Sequence, residues 1–182
     1  MSKKIMILNG SPRKNGNTAA LIEAFTLGAN EQGNIVNTFY LEGMNIHGCK
    51  GCLCGGKDSN SPCVQKDDMD KIYKAYAEAD VVVLASPLYY WTLSGQLTTT
   101  INRLFAIAEG DPLYQLPKKE SALLMAAESQ DFEEVIYYYN KLMNHISWTN
   151  LGVVTVGDVM SIGDIKGKPG LEDAKKLGAS IK

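Results

Sequence analysis

The sequence predicts one α/β domain, a three-layer, doubly wound parallel sheet of five strands. Three observations predict it. Short dense apolar runs alternate with longer segments in which apolar residues recur every three or four positions, the pattern of strands interleaved with helices. One run, Val81-Val82-Val83-Leu84-Ala85, shows no polar alternation, as a central parallel strand covered on both faces requires. The chain has 182 residues, enough for one such unit and too few for two.

Each element follows in order. The first strand spans residues 3–8 and runs into the loop Asn9-Gly10-Ser11-Pro12-Arg13-Lys14-Asn15-Gly16-Asn17-Thr18. A helix comes next, with Leu21, Ile22, Phe25 and Ala29 on one face, Asn17 or Thr18 as its cap and Gly33 at its end. Residues 35–41 read as the second strand. A helix over residues 69–79 turns Met69, Ile72 and Tyr76 inward and sets Asp67, Asp68 and Asp70 near its positive end. The unalternating third strand is followed by a loop over residues 86–93 and a helix from about Ser94, with Leu97, Ile101, Leu104 and Phe105 as its buried stripe. Residues 122–127 make strand four. Asp131 and Glu134, spaced as a capping box, open a helix carrying Phe132, Val135, Ile136, Tyr139, Leu142, Met143 and Ile146. Residues 151–156 form strand five, and Leu171, Ala174 and Leu177 mark a short closing helix.

Composition narrows the function classes. Apolar residues at 45% and charged residues at 21% exclude a disordered or fibrous chain. The 18 basic and 20 acidic side chains leave a net charge of −2, so no broad cationic face holds a nucleic-acid backbone. The apolar run at residues 5–8 is too short for a signal peptide, and no stretch reaches the roughly 18 apolar residues of a membrane span. A cytoplasmic protein with neither nucleic-acid nor membrane partner is expected. In that reducing compartment, four cysteines read as metal or redox chemistry before disulfides.

Doubly wound sheets bind ligands beyond the carboxyl ends of their strands, where the strand order reverses. The first such loop looks built for phosphate. Gly10 and Gly16 allow tight turning, helix-start amides point outward, and Ser11, Arg13, Asn15, Asn17 and Thr18 add donors around an anion. It is neither a Walker A loop nor a dinucleotide fingerprint, because Gly16 lies six positions after Gly10, Asn17 follows it, and the three-glycine spacing is missing. The alternative is a plain capped βα turn. After the third strand, Ser86-Pro87-Leu88-Tyr89-Tyr90-Trp91-Thr92-Leu93-Ser94 offers three aromatics in a row, a wall for a flat apolar ligand or a surface packed beneath a neighbouring loop or subunit. Together the two loops suit a ligand that is phosphate at one end and aromatic at the other. FMN has that shape.

These residues resemble the NAD(P)H-dependent FMN reductases of flavodoxin-like fold. The run from Asn9 to Thr18 is similar to that family's phosphate loop, and Ser86 to Trp91 with Ser94-Gly95-Gln96-Leu97 to its isoalloxazine loop and following helix. The resemblance covers nearly the whole chain and implies strand order 2-1-3-4-5. It implies that Ser11, Arg13, Asn15, Gly16, Asn17 and Thr18 surround the FMN phosphate, that Pro87, Leu88, Tyr89, Tyr90 and Trp91 line the ribityl chain and ring, and that Ala127, Glu128 and Ser129 border the ring from strand four. It further implies a homodimer or homotetramer; Tyr137 and Tyr138, off their helix's buried stripe, are candidates for that contact.

Within the family the sequence is most similar to the iron-sulfur flavoprotein branch, through Cys49, Cys52, Cys54 and Cys63 ahead of Asp67-Asp68-Met69. That branch separates its first three cysteines by two residues each. Here Leu53 alone separates Cys52 from Cys54, and eight residues precede Cys63. All four cysteines lie in one long connection, about residues 42–66, whose length calls for a function. Four thiolates can ligate an iron-sulfur cluster or zinc, though ligands separated by one residue strain a shared centre. The alternative is a substrate-side flap with thiols left free or forming an adventitious disulfide; His47 is a further candidate ligand.

The resemblance implies two-electron transfer from NAD(P)H to bound FMN and on to a small acceptor such as a quinone, nitroaromatic, azo compound or free flavin. No catalytic side chain is expected, and the sequence has neither a Ser-His-Asp set nor paired catalytic carboxylates. Three alternatives remain: an iron-sulfur flavoprotein, a flavodoxin-type carrier without a nicotinamide site, and a non-enzymatic metal- or redox-sensing module.

Overall fold

A computed structural model describes residues 2–182. Five parallel strands pair in the order β2-β1-β3-β4-β5, with β1 Lys4–Asn9, β2 Ile35–Tyr40, β3 Val81–Pro87, β4 Glu120–Ala126 and β5 Thr149–Val156. This is the flavodoxin-like order expected from the sequence. The helices are α1 Asn17–Glu31, α2 Met69–Glu78, α3 Gly95–Arg103, α4 Phe105–Ala108, α5 Glu133–His145 and α6 Gly170–Ala179.

Alternation along each strand divides the core between the two faces of the sheet. Ile5 and Ile7 of β1, with Val81 and Val83 of β3, pack against Leu21, Ile22 and Phe25 of α1 and Ala174 of α6. Met6, Leu8, Val82 and Leu84 point the other way, toward Met69, Ile72 and Tyr76 of α2, Leu97 of α3 and Val135 and Tyr139 of α5. Both faces of β3 are therefore covered, which is why its sequence shows no alternation.

Helices α1 and α6 pack unusually closely. A Cβ on Gly28 would stand 2.0 Å from the Lys175 carbonyl oxygen, and one on Gly178 would stand 2.1 Å from that of Phe25. Each helix thus presents a glycine to the other's backbone, and neither site has room for a methyl group.

Three local expectations fail. Neither Asn17 nor Thr18 caps α1: both lie within the helix, whose cap position is Gly16 with no side-chain cap, and the Asn17 amide side chain is engaged instead with Ser161 and Gly163. Phe105 is 41% exposed, because the chain breaks helical continuity at Leu104 and α4 starts a new turn; its ring stacks instead on Tyr114, centroids 6.0 Å apart. The capping box of Asp131 and Glu134 does not form: α5 begins at Glu133 with Phe132 at the cap position and no side-chain cap. The Asp131 carboxylate instead accepts a hydrogen bond from Trp91 Nε1 at 2.9 Å. Ser94 does cap α3, its Oγ accepting from the Leu97 amide at 3.3 Å.

Gly28→Ala or Gly178→Ala is expected to lower stability by about 1–3 kcal/mol through overpacking, although alanine is the better helix former. Urea unfolding checks this as a lower midpoint at unchanged slope.

Candidate functional site

At the carboxyl ends of the strands the chain leaves β1 toward the α1 face and β3 toward the opposite face, so a crevice opens between the two outlets. Gly10 closes its floor. Its amide donates to the Ala85 carbonyl at 2.8 Å, and a Cβ there would lie 2.5 Å from Ser94 Oγ, so only glycine lets the first loop meet the start of α3. Asn9 Oδ1 accepts from the Ser11 amide at 3.0 Å, and Ser11 Oγ from the Arg13 amide at 3.2 Å, which curls the loop over the start of α1. The first-turn amides of α1 have no intrahelical acceptor and its first turn holds no acidic residue, so the helix presents an uncompensated positive end.

Two adjoining hollows fill the crevice. One, about 280 Å³, is lined by Ser11, Arg13, Gly16, Asn17 and Thr18 of the first loop, Pro87 to Tyr89 of the third-strand loop, Ala126 to Glu128, and Val159 and Met160. The other, about 440 Å³, lies among Leu88, Tyr89, Tyr90, Trp91, Ala127, Glu128 and Ser129. They share Leu88, Tyr89, Ala127 and Glu128, so a polar compartment opens directly onto an aromatic one. Of the residues expected around a mononucleotide, Asn15 alone lines neither hollow; it is exposed on the outer turn of the loop.

The sequence reading missed the loop after β5. Arg13 Nη1 donates to the Met160 carbonyl at 2.6 Å, Asn17 Nδ2 to the Ser161 carbonyl at 3.0 Å, and the Gly163 amide to Asn17 Oδ1 at 3.2 Å. Two residues expected to hold an anion thus also fasten this fourth wall. The rule that ligands sit at strand carboxyl ends applies to β5 as well, and the run Gly157-Asp158 was the available signal.

The aromatic wall is built under strain. Tyr89 and Thr92 exchange backbone hydrogen bonds of 3.0 and 3.1 Å around Tyr90 and Trp91, both at positive φ, 47° and 59°. Such two-residue turns favour Asn-Gly; bulky residues there each cost on the order of 1–2 kcal/mol. The turn holds Tyr90 94% and Trp91 54% exposed, and the bond to Asp131 fixes the indole.

Two larger hollows, of about 620 and 640 Å³, lie beside residues 115–119 and 147–148, just before β4 and β5. They are at the amino ends of those strands, away from the switch point, and the crevice is the better candidate despite its smaller size.

The NADPH-dependent FMN reductase family model matches residues 3–165. The chain belongs to this family of oxidoreductases. An iron-sulfur flavoprotein of Archaeoglobus fulgidus is 34% identical over 175 residues, covering 94% of this chain and 76% of that protein. Another, from Methanosarcina thermophila, is 30% identical over 93% of this chain and 85% of that protein. Among solved structures, the NAD(P)H:quinone oxidoreductase from Methanothermobacter marburgensis matches with a TM-score of 0.76 at 19% identity, covering 100% of this chain and 97% of that one, a likeness of fold.

Relative to an FMN reductase core of strands and helices, the cysteine connection between β2 and α2 is a separate structure with its own anchor. Arg103 and Asp67, each 1% exposed at the side chain, form a two-pronged ion pair with N···O distances of 2.7 and 3.2 Å. Arg103 Nη1 also donates to the His47 carbonyl at 2.7 Å and Nη2 to that of Gln65 at 3.5 Å, while Asp67 accepts from the His47 and Met69 amides, each at 3.1 Å. Both ends of the loop are thereby tied to one buried pair. Burial works to raise the Asp67 pKa, but the Arg103 hydrogen bond and the two amides prevail and hold it below its ordinary value. Cys49, Cys52 and Cys54 are exposed and Cys63 is buried. Among the described residues, no three His, Cys, Asp or Glu side chains are gathered in a metal-binding arrangement. His47 meets Arg103 and Asp67 through its backbone.

Tyr90→Asn is expected to stabilise the FMN-free chain by about 1 kcal/mol, since asparagine tolerates positive φ, while weakening FMN binding. Urea unfolding and flavin titration read the two effects separately. Asp67→Asn leaves a buried unpaired guanidinium and is expected to cost about 3–5 kcal/mol at pH 7. In the wild type the Asp67 contribution is complete above its unfolded pKa of 3.8 and is lost as the pH falls through the lower folded value. The variant's stability should therefore fall less steeply than the wild type's below pH 3.8, which unfolding curves across that range check.

Proposed function

We propose that this chain is an FMN-dependent NAD(P)H oxidoreductase that holds FMN in the crevice between the outlets of β1 and β3 and passes electrons to a small acceptor, a quinone, nitroaromatic, azo compound or free flavin. The observation that carries this reading is the opening of the polar hollow onto the aromatic one through shared walls at the switch point. Their volumes fall in the range of cofactor pockets, about 300–1,000 Å³ when taken together.

The residues present fit the cofactor. The amides at the start of α1, the Thr18 hydroxyl and the Arg13 guanidinium supply donors and positive charge for a phosphate, with no acidic side chain in that turn to oppose it. Arg13 is already oriented across the hollow by the Met160 carbonyl. Pro87, Leu88 and Tyr89 form the passage, and Tyr90 and Trp91 with Ala127, Glu128 and Ser129 make the wall for a flat ring and exclude water from it. FMN, when bound, supplies hydride acceptance and electron release; the chain binds it, orients it and leaves one side open to a second ring. No side chain is assigned as a catalytic acid or base.

Met160, Ile162, Tyr90 and Trp91, all more than half exposed, cluster in the two loops that border the crevice, and Tyr137 is 64% exposed on α5. Apolar exposure of this kind supports a homodimer or homotetramer.

Flavin fluorescence titration tests the assignment. The double variant Arg13→Ala, Thr18→Ala is expected to weaken FMN binding at least tenfold, and unchanged affinity would overturn the site. Anaerobic NADPH or NADH is expected to bleach the bound flavin; reduction by dithionite but by neither nucleotide would instead identify a flavodoxin-type carrier.

A further inference from the structure

Asp131 meets the aromatic wall from behind. Its carboxylate accepts from Trp91 Nε1 at 2.9 Å, yet it lines neither hollow of the crevice. The two residues are 40 apart in sequence and stand in the loops that leave two paired strands, β3 and β4. A contact effect of Asp131 on a molecule in the ring hollow therefore has to pass through the indole.

The two ends of this bond are held differently. Behind Asp131 the chain is braced: its amide donates to Ser129 Oγ at 2.9 Å, Gln130 Nε2 donates to Asp158 Oδ2 at 2.7 Å, and the Asp158 amide donates to the Glu128 carbonyl at 3.1 Å. Gly157 brings the loop after β5 close behind, since a Cβ there would lie 2.9 Å from the Ser129 carbonyl oxygen. Trp91 is less supported. It stands at the tip of a two-residue turn at a φ of 59°, more than half exposed, above the backbone bonds between Tyr89 and Thr92. An exposed side chain on a turn exchanges rotamers within nanoseconds unless a directional bond selects one.

A second observation concerns the bond that Asp131 does not make. It lies two residues before α5, where an acid commonly caps the helix, and α5 starts without a side-chain cap. The carboxylate is aimed instead at the indole of another loop.

We propose that Asp131 is a positioning residue of the ring hollow: by holding Trp91 Nε1 it fixes one rotamer of the indole, so that the hollow Trp91 shares with Ala127, Glu128 and Ser129 is already shaped when a flat ring enters. This role rests on the FMN reading of the crevice and adds to it a residue outside the lining. A wall ordered in advance spares binding the entropy loss of ordering it then. The effect belongs to the ring end, because Arg13 and Thr18 line the polar hollow and not the aromatic one. Riboflavin, which has the ring and no phosphate, therefore feels the loss of Asp131 by the same factor as FMN.

Two measurements on the full chain test it. In the flavin-free protein, tryptophan anisotropy decay is expected to gain a sub-nanosecond component in Asp131→Ala that wild type and Asp131→Asn lack, since asparagine keeps an acceptor oxygen. Trp148, buried and bonded through Nε1 to the Pro117 carbonyl at 3.1 Å, supplies a rigid background. In fluorescence titration, Asp131→Ala is expected to weaken FMN and riboflavin alike by about three- to tenfold, the worth of one exposed hydrogen bond, and Asp131→Asn by less than about twofold. In a Trp91→Phe background, which keeps a ring and has no indole N–H, Asp131→Ala is expected to change nothing further. Asp131 is exposed and caps no helix, so each variant is expected to fold. An anisotropy decay or a flavin affinity that is the same in wild type and Asp131→Ala overturns the role of Asp131 and leaves the crevice assignment standing. So does an asparagine variant as weak as alanine, or a loss that persists in the Trp91→Phe background. Wild type that binds neither flavin overturns the crevice assignment itself, and the role of Asp131 with it.

Discussion

The arrangement depends on a constraint of parallel sheets: every connection must cross a face, and the hand of that crossing is fixed. From β1 the chain turns one way to reach β2, and from β3 the other way to reach β4, with α1 and α3 on opposite faces. The two outlets diverge, and the sheet itself prevents anything from filling the gap. The crevice therefore follows from strand order, and the loops decide what enters it. Gly10 is where topology and local sequence meet, since a side chain there would force the first loop off Ala85 and Ser94 and change the floor.

The cysteine connection answers to a different interaction. A segment of more than 20 residues between β2 and α2 contributes few side chains to the core, Leu41 and Cys63 with Met44 and Ile46 packed against it, and most of its middle is exposed. The Arg103 and Asp67 pair adds to that burial. Isolated buried ion pairs add little net stability, because desolvation offsets the attraction. Here the guanidinium also binds two loop carbonyls and the carboxylate two amides, so the pair serves as a rivet that fixes where the loop starts and ends.

Strand positions, sheet order and most buried faces were legible in the sequence, because each rests on apolar periodicity that no tertiary contact overrode. Leu21, Ile22, Phe25 and Ala29 are buried on α1, as their spacing predicts. The crevice was legible in its first three walls for a similar reason, since those loops combine unusual composition with a known place in the topology. What stayed hidden depends on contacts between distant positions. Asp67 reads as one of three acids near a helix start, and nothing local reveals a guanidinium 36 residues away. Asp131 reads as a cap, yet the Trp91 indole claims its carboxylate. Phe105 follows the helical stripe until the chain breaks at Leu104, where no glycine or proline marks the stop.

The strained turn at Tyr90 and Trp91 bears on which hollow the fold was built to use. One larger hollow also holds a bulky residue at positive φ, Tyr114 at 55° and 60% exposed, but its ring stacks on Phe105 and it is not one of a consecutive pair as Tyr90 and Trp91 are. Two consecutive bulky residues at positive φ, in place of the asparagine and glycine that the turn prefers, lower the stability of the free chain. Such a cost persists in a fold only where the side chains do something that the favoured residues cannot. Here they give an aromatic face to a crevice whose other end is positive. The charge pattern agrees, for α2, α5 and α6 carry acids in their first turns while α1 and α3, which follow β1 and β3 at the crevice, carry none. Strain at one end and uncompensated charge at the other are both relieved by the same kind of molecule, a planar ring joined to an anion, and nothing at the amino ends of the strands makes a comparable demand.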